Sequence, residues 1–249
     1  MSIIQTSHLC HRFADGTQGI DDVTLTFYEG DFTVIAGANG SGKTTLLRHL
    51  NGLLFPDSGT VTVCGKSVKA DPLAARQQVG MVFQDADSQI VGETVYDDAA
   101  FGPENLAFER QQINQRVNQA LAAVDLSGFE NKRPHHLSGG EKRRLAIAGV
   151  LAMAPRVLLM DEPFSNLDYP ATCRVLNHIL DLHKKGHTII ITTHDLEKVI
   201  AHAQRLVVMA KGRVVKDGIP AEVISCIERY GIRPPCSVQL GRGIRPWVN

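Results

Sequence analysis

The sequence predicts an α/β fold built on a largely parallel sheet, with an antiparallel β sub-domain before it and an α-helical sub-domain inserted within it. Three observations carry that prediction. From residue 157 on, apolar β-branched runs alternate with helical patterns, which is the grammar of βαβ units. Residues 3–36 instead alternate short apolar runs with the turn signals Phe13-Ala14-Asp15-Gly16-Thr17 and Tyr28-Glu29-Gly30-Asp31, as antiparallel strands do. Between 85 and 154 the apolar positions recur at helical spacing, in Val117, Leu121 and Val124 and again in Leu145, Ala148 and Leu151.

Taken in order, the antiparallel strands lead into Phe32-Thr33-Val34-Ile35-Ala36, a buried strand. Gly37-Ala38-Asn39-Gly40-Ser41-Gly42-Lys43-Thr44 follows, with Thr45 behind it. The stretch satisfies G-x-x-x-x-G-K-[ST] at every fixed position. A helix is expected over 44–54, with Leu46, Leu47, Leu50 and Leu54 on one face. Strand, glycine loop and helix together make a phosphate-binding P-loop. The glycines let successive N–H groups curl around phosphate oxygens at the positive end of a helix dipole. Lys43 is then expected to reach the β- and γ-phosphates, and the Thr44 hydroxyl to ligate Mg²⁺. The cofactors expected are ATP and Mg²⁺.

Phe55-Pro56-Asp57-Ser58-Gly59 reads as a turn, and strands are expected over 60–63 and 79–83, the latter ending at Gln84. After the helical stretch come a strand over 157–160, a helix over 171–184, a strand over 188–192, a helix over 195–203 and a strand over 206–209. The strand over 157–160 runs into Asp161 and Glu162. Beside a P-loop, a carboxylate at such a strand end holds Mg²⁺ through water, the Walker B role, assigned to Asp161. Glu162 is expected to act as general base on the attacking water.

Composition narrows the class. Hydrophobic residues make up 43% of the 249, which excludes a largely disordered chain. With 26 basic and 26 acidic residues, nothing in the overall charge draws the protein to nucleic acid or an anionic membrane. The five cysteines contain no C-x-x-C pair, as suits a reducing compartment. No apolar run is long enough to span a bilayer, and no leader pattern precedes the first strand, so a soluble cytoplasmic protein is expected.

Leu137-Ser138-Gly139-Gly140-Glu141-Lys142-Arg143-Arg144 adds a third constellation. Ser138 with Glu141 makes a capping box, and a Gly-Gly helix start after a serine is a second phosphate cradle. With the P-loop upstream and Val157-Leu158-Leu159-Met160-Asp161-Glu162 downstream, this stretch resembles the signature of the ATP-binding-cassette (ABC) ATPases, over essentially residues 1–228. That resemblance implies a P-loop NTPase with a RecA-like core, a helical sub-domain at about 85–155 and a C-terminal extension over 229–249. It also implies that Gln84 is the Q-loop glutamine, that Ser165-Asn166-Leu167-Asp168 is the D-loop, and that His194 is the switch histidine. Phe13 matches the aromatic that stacks on adenine, usually a tyrosine. Two chains, identical or paralogous, would meet head to tail. Ser138, Gly139, Gly140 and Asp168 of one would then serve the ATP of the other. Lys43, Gln84, Glu162 and His194 would carry the hydrolysis, with His194 holding the γ-phosphate and the attacking water and Gln84 linking Mg²⁺ to the helical sub-domain.

Within the family, Asp85 to Val95 and then Ala100-Phe101-Gly102-Pro103-Glu104-Asn105-Leu106 resemble the ATPases of energy-coupling-factor (ECF) importers of vitamins and of cobalt or nickel ions. This implies integral membrane scaffold and substrate-binding partners, a place on the cytoplasmic face of the cell membrane, and no nucleic-acid partner. The alternatives are an ATPase of a non-ECF ABC transporter, or a soluble ABC ATPase acting on nucleic acid. The latter relatives carry long coiled-coil insertions, and no heptads separate P-loop and signature here. His8, Cys10 and His11 alternate faces of an early strand and have no second ligand pair. His135, His136, His178, His183 and His187 are read as surface residues, and the Arg-rich tail, with Arg229, Arg233, Arg242, Arg245 and Trp247, as loosely packed.

Overall fold

The computed structural model describes residues 1–248. Strands β1 (Ser2–Arg12) and β2 (Gln18–Tyr28) pair antiparallel, and β3 (Phe32–Ala36) leads through the glycine loop into helix α1 (Lys43–Leu50). β4 (Ser58–Val63) and the short β5 (Lys66–Ser67) complete a four-stranded antiparallel sheet of order β2-β1-β4-β5. Helix α2 (Pro72–Gln78) then feeds β6 (Val79–Val82).

The helical sub-domain follows as α3 (Val95–Asn105), α4 (Arg110–Ala123) and α5 (Gly139–Ala152). Then come β7 (Val157–Asp161), α6 (Tyr169–Lys184), β8 (Thr188–Thr193), β9 (Arg205–Ala210) and β10 (Arg213–Gly218). The second sheet has the order β10-β9-β3-β8-β7-β6, parallel throughout except for the antiparallel edge strand β10.

Both faces of the central strands are covered, which is why they read as continuous apolar runs rather than alternating ones. Phe32, Val34, Leu158, Met160, Ile189 and Ile191 face a core shared with the helices. Ile35, Val157, Leu159 and Ile190 face the core beneath the antiparallel sheet and α1. Because β3, β8 and β7 are adjacent and parallel, their carboxyl ends meet at one edge. That edge is where ligands bind in open α/β sheets.

Several elements depart from the sequence expectation. Helix α1 stops at Leu50 instead of running to 54: Gly52 turns with a positive φ, and the Asn51 side chain leaves the helix to donate to the Val79 carbonyl at 2.6 Å. The helix expected over 195–203 does not form, and only Ile200–His202 makes a 3₁₀ turn. There Thr193 Oγ1 accepts from Asp195 N (3.0 Å) and Asp195 Oδ1 accepts from Glu197 N (3.1 Å), so side chains take the N–H groups at the segment's start into local turns. His178 is buried, not exposed. It falls on the α6 face that also buries Val175, Ile179 and Leu182, and its Nε2 lies 3.4 Å from Asp125 in the sub-domain.

The C-terminal segment is packed more closely than its composition suggests. Ile227 and Ile232 are buried, Cys236 N donates to Glu197 Oε2 at 2.7 Å, and the backbones of Arg233 and Asp195 pair as a single parallel β-bridge. The Trp247 ring meets the Tyr169 ring edge-on at 5.1 Å.

Candidate functional site

The glycine loop closes on itself through its own geometry. Gly40 and Gly42 have φ of 76° and 101°, in the left-handed region that a side chain resists, and Gly42 caps α1 in that conformation. A Cβ on Gly37 would stand 2.3 Å from Ser41 Oγ and 2.6 Å from the Met209 carbonyl, so only glycine fits. Above the loop lies a cleft of about 440 Å³ lined by Phe13, Asn39, Gly40, Ser41, Gly42, Lys43, Thr44, Thr45, Gln84 and Glu162, with Gly19 behind Phe13. The glycine loop, Phe13, Gln84 and Glu162 therefore converge on one cavity, although up to 149 positions separate them in the chain.

The floor of the cleft is charged and buried. Lys43 Nζ donates to the carbonyls of Gly37 (2.8 Å) and Ala38 (3.2 Å) and lies 3.7 Å from Glu162 Oε1. Burial pushes the Lys43 ammonium below the usual lysine range, opposed by the charges of Glu162 and Asp161. Thr44 Oγ1 donates to Asp161 Oδ2 at 2.7 Å, and Thr192 Oγ1 donates to Asp161 Oδ1 at 2.5 Å. Thr192 escaped the sequence reading because it sits in an apolar strand. Its only signal is a hydroxyl at the strand end next to the one carrying Asp161.

Glu162 is 7% exposed and its φ of 46° is left-handed for a non-glycine residue. Such backbone costs on the order of 1–3 kcal/mol and gathers at functional sites. Its N–H is secured by the Thr192 carbonyl at 3.1 Å. Its Oε1 lies 2.9 Å from His194 Nδ1, which places the switch-histidine candidate on the base candidate.

The cleft suits a polyphosphate. Among the described residues Ser41 Oγ is buried without a partner and Lys43 is satisfied only by main-chain carbonyls and Glu162, and left-handed glycines such as Gly40 and Gly42 suit a backbone N–H nest. One hydroxyl and one carboxylate oxygen side by side, Thr44 and Asp161, fit a hard cation such as Mg²⁺, which keeps several of its waters.

Ser138, Gly139, Gly140 and Asp168 are not among the residues lining this cleft. Ser138 and Glu141 form the expected capping box on α5 (3.3 and 2.7 Å), and Asp168 caps α6 by accepting from Ala171 N at 2.8 Å. A Cβ on Gly140 would lie 2.7 Å from the Ala171 Cβ, so the starts of α5 and α6 touch. These four residues form a second group, presented outward.

A model of the ABC transporter family matches residues 20–165. The chain is 45% identical over 231 residues to the energy-coupling factor transporter ATP-binding protein EcfA of Methanocaldococcus jannaschii, covering 92% of this chain and 83% of that one. It is 48% identical to a putative ABC transporter ATP-binding protein of Halobacterium salinarum, over 94% of this chain and 100% of the relative. Among solved structures, cbiO1 of Clostridium perfringens, part of the transporter complex cbiONQ, superposes with a TM-score of 0.83 at 35% identity, covering 96% and 98% of the two chains.

Proposed function

The chain belongs to the ABC transporter family of ATP-hydrolysing proteins, and from that membership we propose that it is the ATPase subunit of an energy-coupling-factor importer for a vitamin or a transition-metal ion. In this reading Phe13 stacks on adenine, the loop Gly37–Thr45 and Lys43 hold the phosphates, and Thr44 and Asp161 hold Mg²⁺. An ion held by Thr44 and Asp161 would supply positive charge to neutralise the phosphates that Lys43 and the loop hold. Glu162 accepts a proton from the attacking water. His194, through Nδ1–H, orients Glu162, and Gln84 senses the γ-phosphate side of the cleft.

Ser138, Gly139, Gly140 and Asp168 do not line their own cleft, and in this reading they serve a second chain's nucleotide. Two chains close on two ATP molecules and part after hydrolysis. The working position is the cytoplasmic face of the cell membrane, with separate integral membrane subunits as partners. Among the described residues no helix is long and apolar enough to cross a membrane.

One observation favours coupling to such a partner. A largely apolar groove of about 390 Å³ runs beside α3, with exposed Leu53, Leu73, Val91 and Phe101 along it, Phe101 being 53% exposed. Phe83 lines this groove and the next residue, Gln84, lines the nucleotide cleft. A helix seated in the groove thus lies one peptide away from the ATP site. Asp98 fixes the rim: its Oδ1 accepts from Val91 N (2.8 Å) and Gly92 N (3.1 Å), while burial raises its pKa. An exposed apolar rim of this kind marks an interaction site.

The test is a pull-down of tagged Glu162→Gln protein with ATP from detergent-solubilised membranes of its own source, with partners identified by mass spectrometry. Recovery of a polytopic scaffold protein, lost on Phe101→Glu, supports the importer. Recovery of soluble partners or nucleic acid alone overturns it and leaves the ATPase standing.

A further inference from the structure

Three consecutive basic residues of the signature helix tie α5 to three different places. Lys142 Nζ lies 2.6 Å from Asp87 Oδ1, and Arg144 Nη1 donates to the carbonyls of Val124 (2.7 Å) and Asp125 (2.8 Å) in the helical sub-domain. Between them Arg143, only 4% exposed, donates from Nη1 to the Phe83 carbonyl (2.6 Å) and from Nη2 to the Gln84 carbonyl (2.5 Å). Strand β6 ends at Val82, so both acceptors lie beyond its ladder. A planar guanidinium holds two successive carbonyls with two donors fixed in one fork, whereas an ammonium is a rotatable point charge without that fixed geometry.

The gripped segment is stiff in itself. Gln89 Oε1 accepts from Phe83 N at 2.9 Å, and its Nε2 donates to the Met81 carbonyl at 3.2 Å. Burial lowers the Arg143 pKa from its high ordinary value, while Asp85 and Asp161 oppose the shift. At one end of the clamp Gln84 lines the chain's own nucleotide cleft. At the other, Ser138, Gly139 and Gly140 open the same helix and do not line that cleft.

We propose that Arg143 is a positioning residue that couples the two ATP sites of the dimer, by making the Gln84 peptide of one site move as a body with the signature that completes the other. The inference rests on the head-to-tail dimer of the preceding section. When γ-phosphate draws Gln84 inward, α5 follows, and the signature reaches the partner's nucleotide only when its own cleft is filled. The tie between the sites is two charge-assisted hydrogen bonds to main-chain carbonyls, independent of which side chain occupies position 84.

The experiment measures steady-state ATP hydrolysis by the full chain against ATP concentration, for the unaltered protein and for Arg143→Gln and Arg143→Lys, together with affinity for a fluorescent ATP analogue and thermal melting. The unaltered protein should hydrolyse ATP cooperatively; an absence of hydrolysis there would overturn the ATPase dimer itself before any variant is considered. Arg143→Gln should lower the rate at saturating ATP roughly tenfold and bring the Hill coefficient toward one, with analogue affinity changed less than about twofold. Arg143→Lys should recover part of the rate and little of the cooperativity. A variant that melts earlier but keeps the rate and Hill coefficient of the unaltered protein overturns the proposal and leaves Arg143 a structural tie. If Arg143→Gln does not fold, Arg143→Lys carries the test, and unaltered kinetics in it overturn the proposal equally.

Discussion

His194 Nδ1 lies 2.9 Å from Oε1 of Glu162, and the same carboxylate oxygen lies 3.7 Å from the Lys43 ammonium. One acid thus joins the strand end of β7, the loop after β8 and the start of α1. In the proposed function Glu162 stands between Lys43, which holds phosphate, and His194, which orients the Glu162 carboxylate.

Glu162→Gln keeps the shape and both neighbours but removes the basic carboxylate. Phosphate release should fall about 10²–10⁴-fold, while ATP is retained and a dimer persists. Phosphate assay and size-exclusion chromatography with ATP check both halves, and unchanged turnover would remove Glu162 from the role of base.

Thr44→Val deletes the donor to Asp161 Oδ2 and one oxygen of the proposed cation pair. The Mg²⁺ concentration for half-maximal hydrolysis should rise roughly tenfold, with ATP-analogue binding in the absence of Mg²⁺ changed much less. Titrating Mg²⁺ at fixed ATP reads this directly. An unshifted midpoint would place the ion elsewhere.

Much of this site is readable along the chain because its parts are short and contiguous. The loop Gly37–Thr45, the carboxylates closing β7 and the capped start of α5 each declare a local geometry. What escaped is nonlocal. Arg143 meets Phe83 and Gln84 across 60 and 59 positions, and Asp161 takes a hydrogen bond from Thr192 across 31; no periodicity encodes such partners. The helix expected over 195–203 shows the opposite failure, where an apolar period was present but Thr193 and Asp195 drew the backbone into turns. His178 was legible in principle, three residues after the buried Val175 on one helix face.

Gly37→Ala places a methyl 2.3 Å from Ser41 Oγ and 2.6 Å from the Met209 carbonyl. The loop must shift, and overpacking of this kind costs about 1–3 kcal/mol. Both thermal stability and nucleotide affinity should fall. Calorimetry with and without ATP separates the two, and wild-type values for both would contradict the geometry.

His49 is fully buried on α1, its Nδ1 3.1 Å from the Leu54 carbonyl and its ring 4.8 Å from that of His11. Burial, helped by the His11 charge, lowers its pKa from 6.5 to about 4. Between those values the unfolded chain binds more protons than the folded one. Stability from this group is therefore whole above about 6.5 and is lost as pH falls toward 4, by on the order of 3 kcal/mol. His49→Phe should flatten that part of the difference in denaturation midpoint between pH 7 and pH 4.5. An identical pH slope in the two proteins would refute the assignment.

Trp247 is the single tryptophan of the chain, and it rests on Tyr169, the residue that follows Asp168. Excitation at the red edge of the indole band therefore lights one place only. That place borders the loop expected to meet a second molecule. The protein carries its own optical reporter: emission wavelength and quenching by iodide register the surroundings of Asp168 as nucleotide is added and consumed, with no label attached.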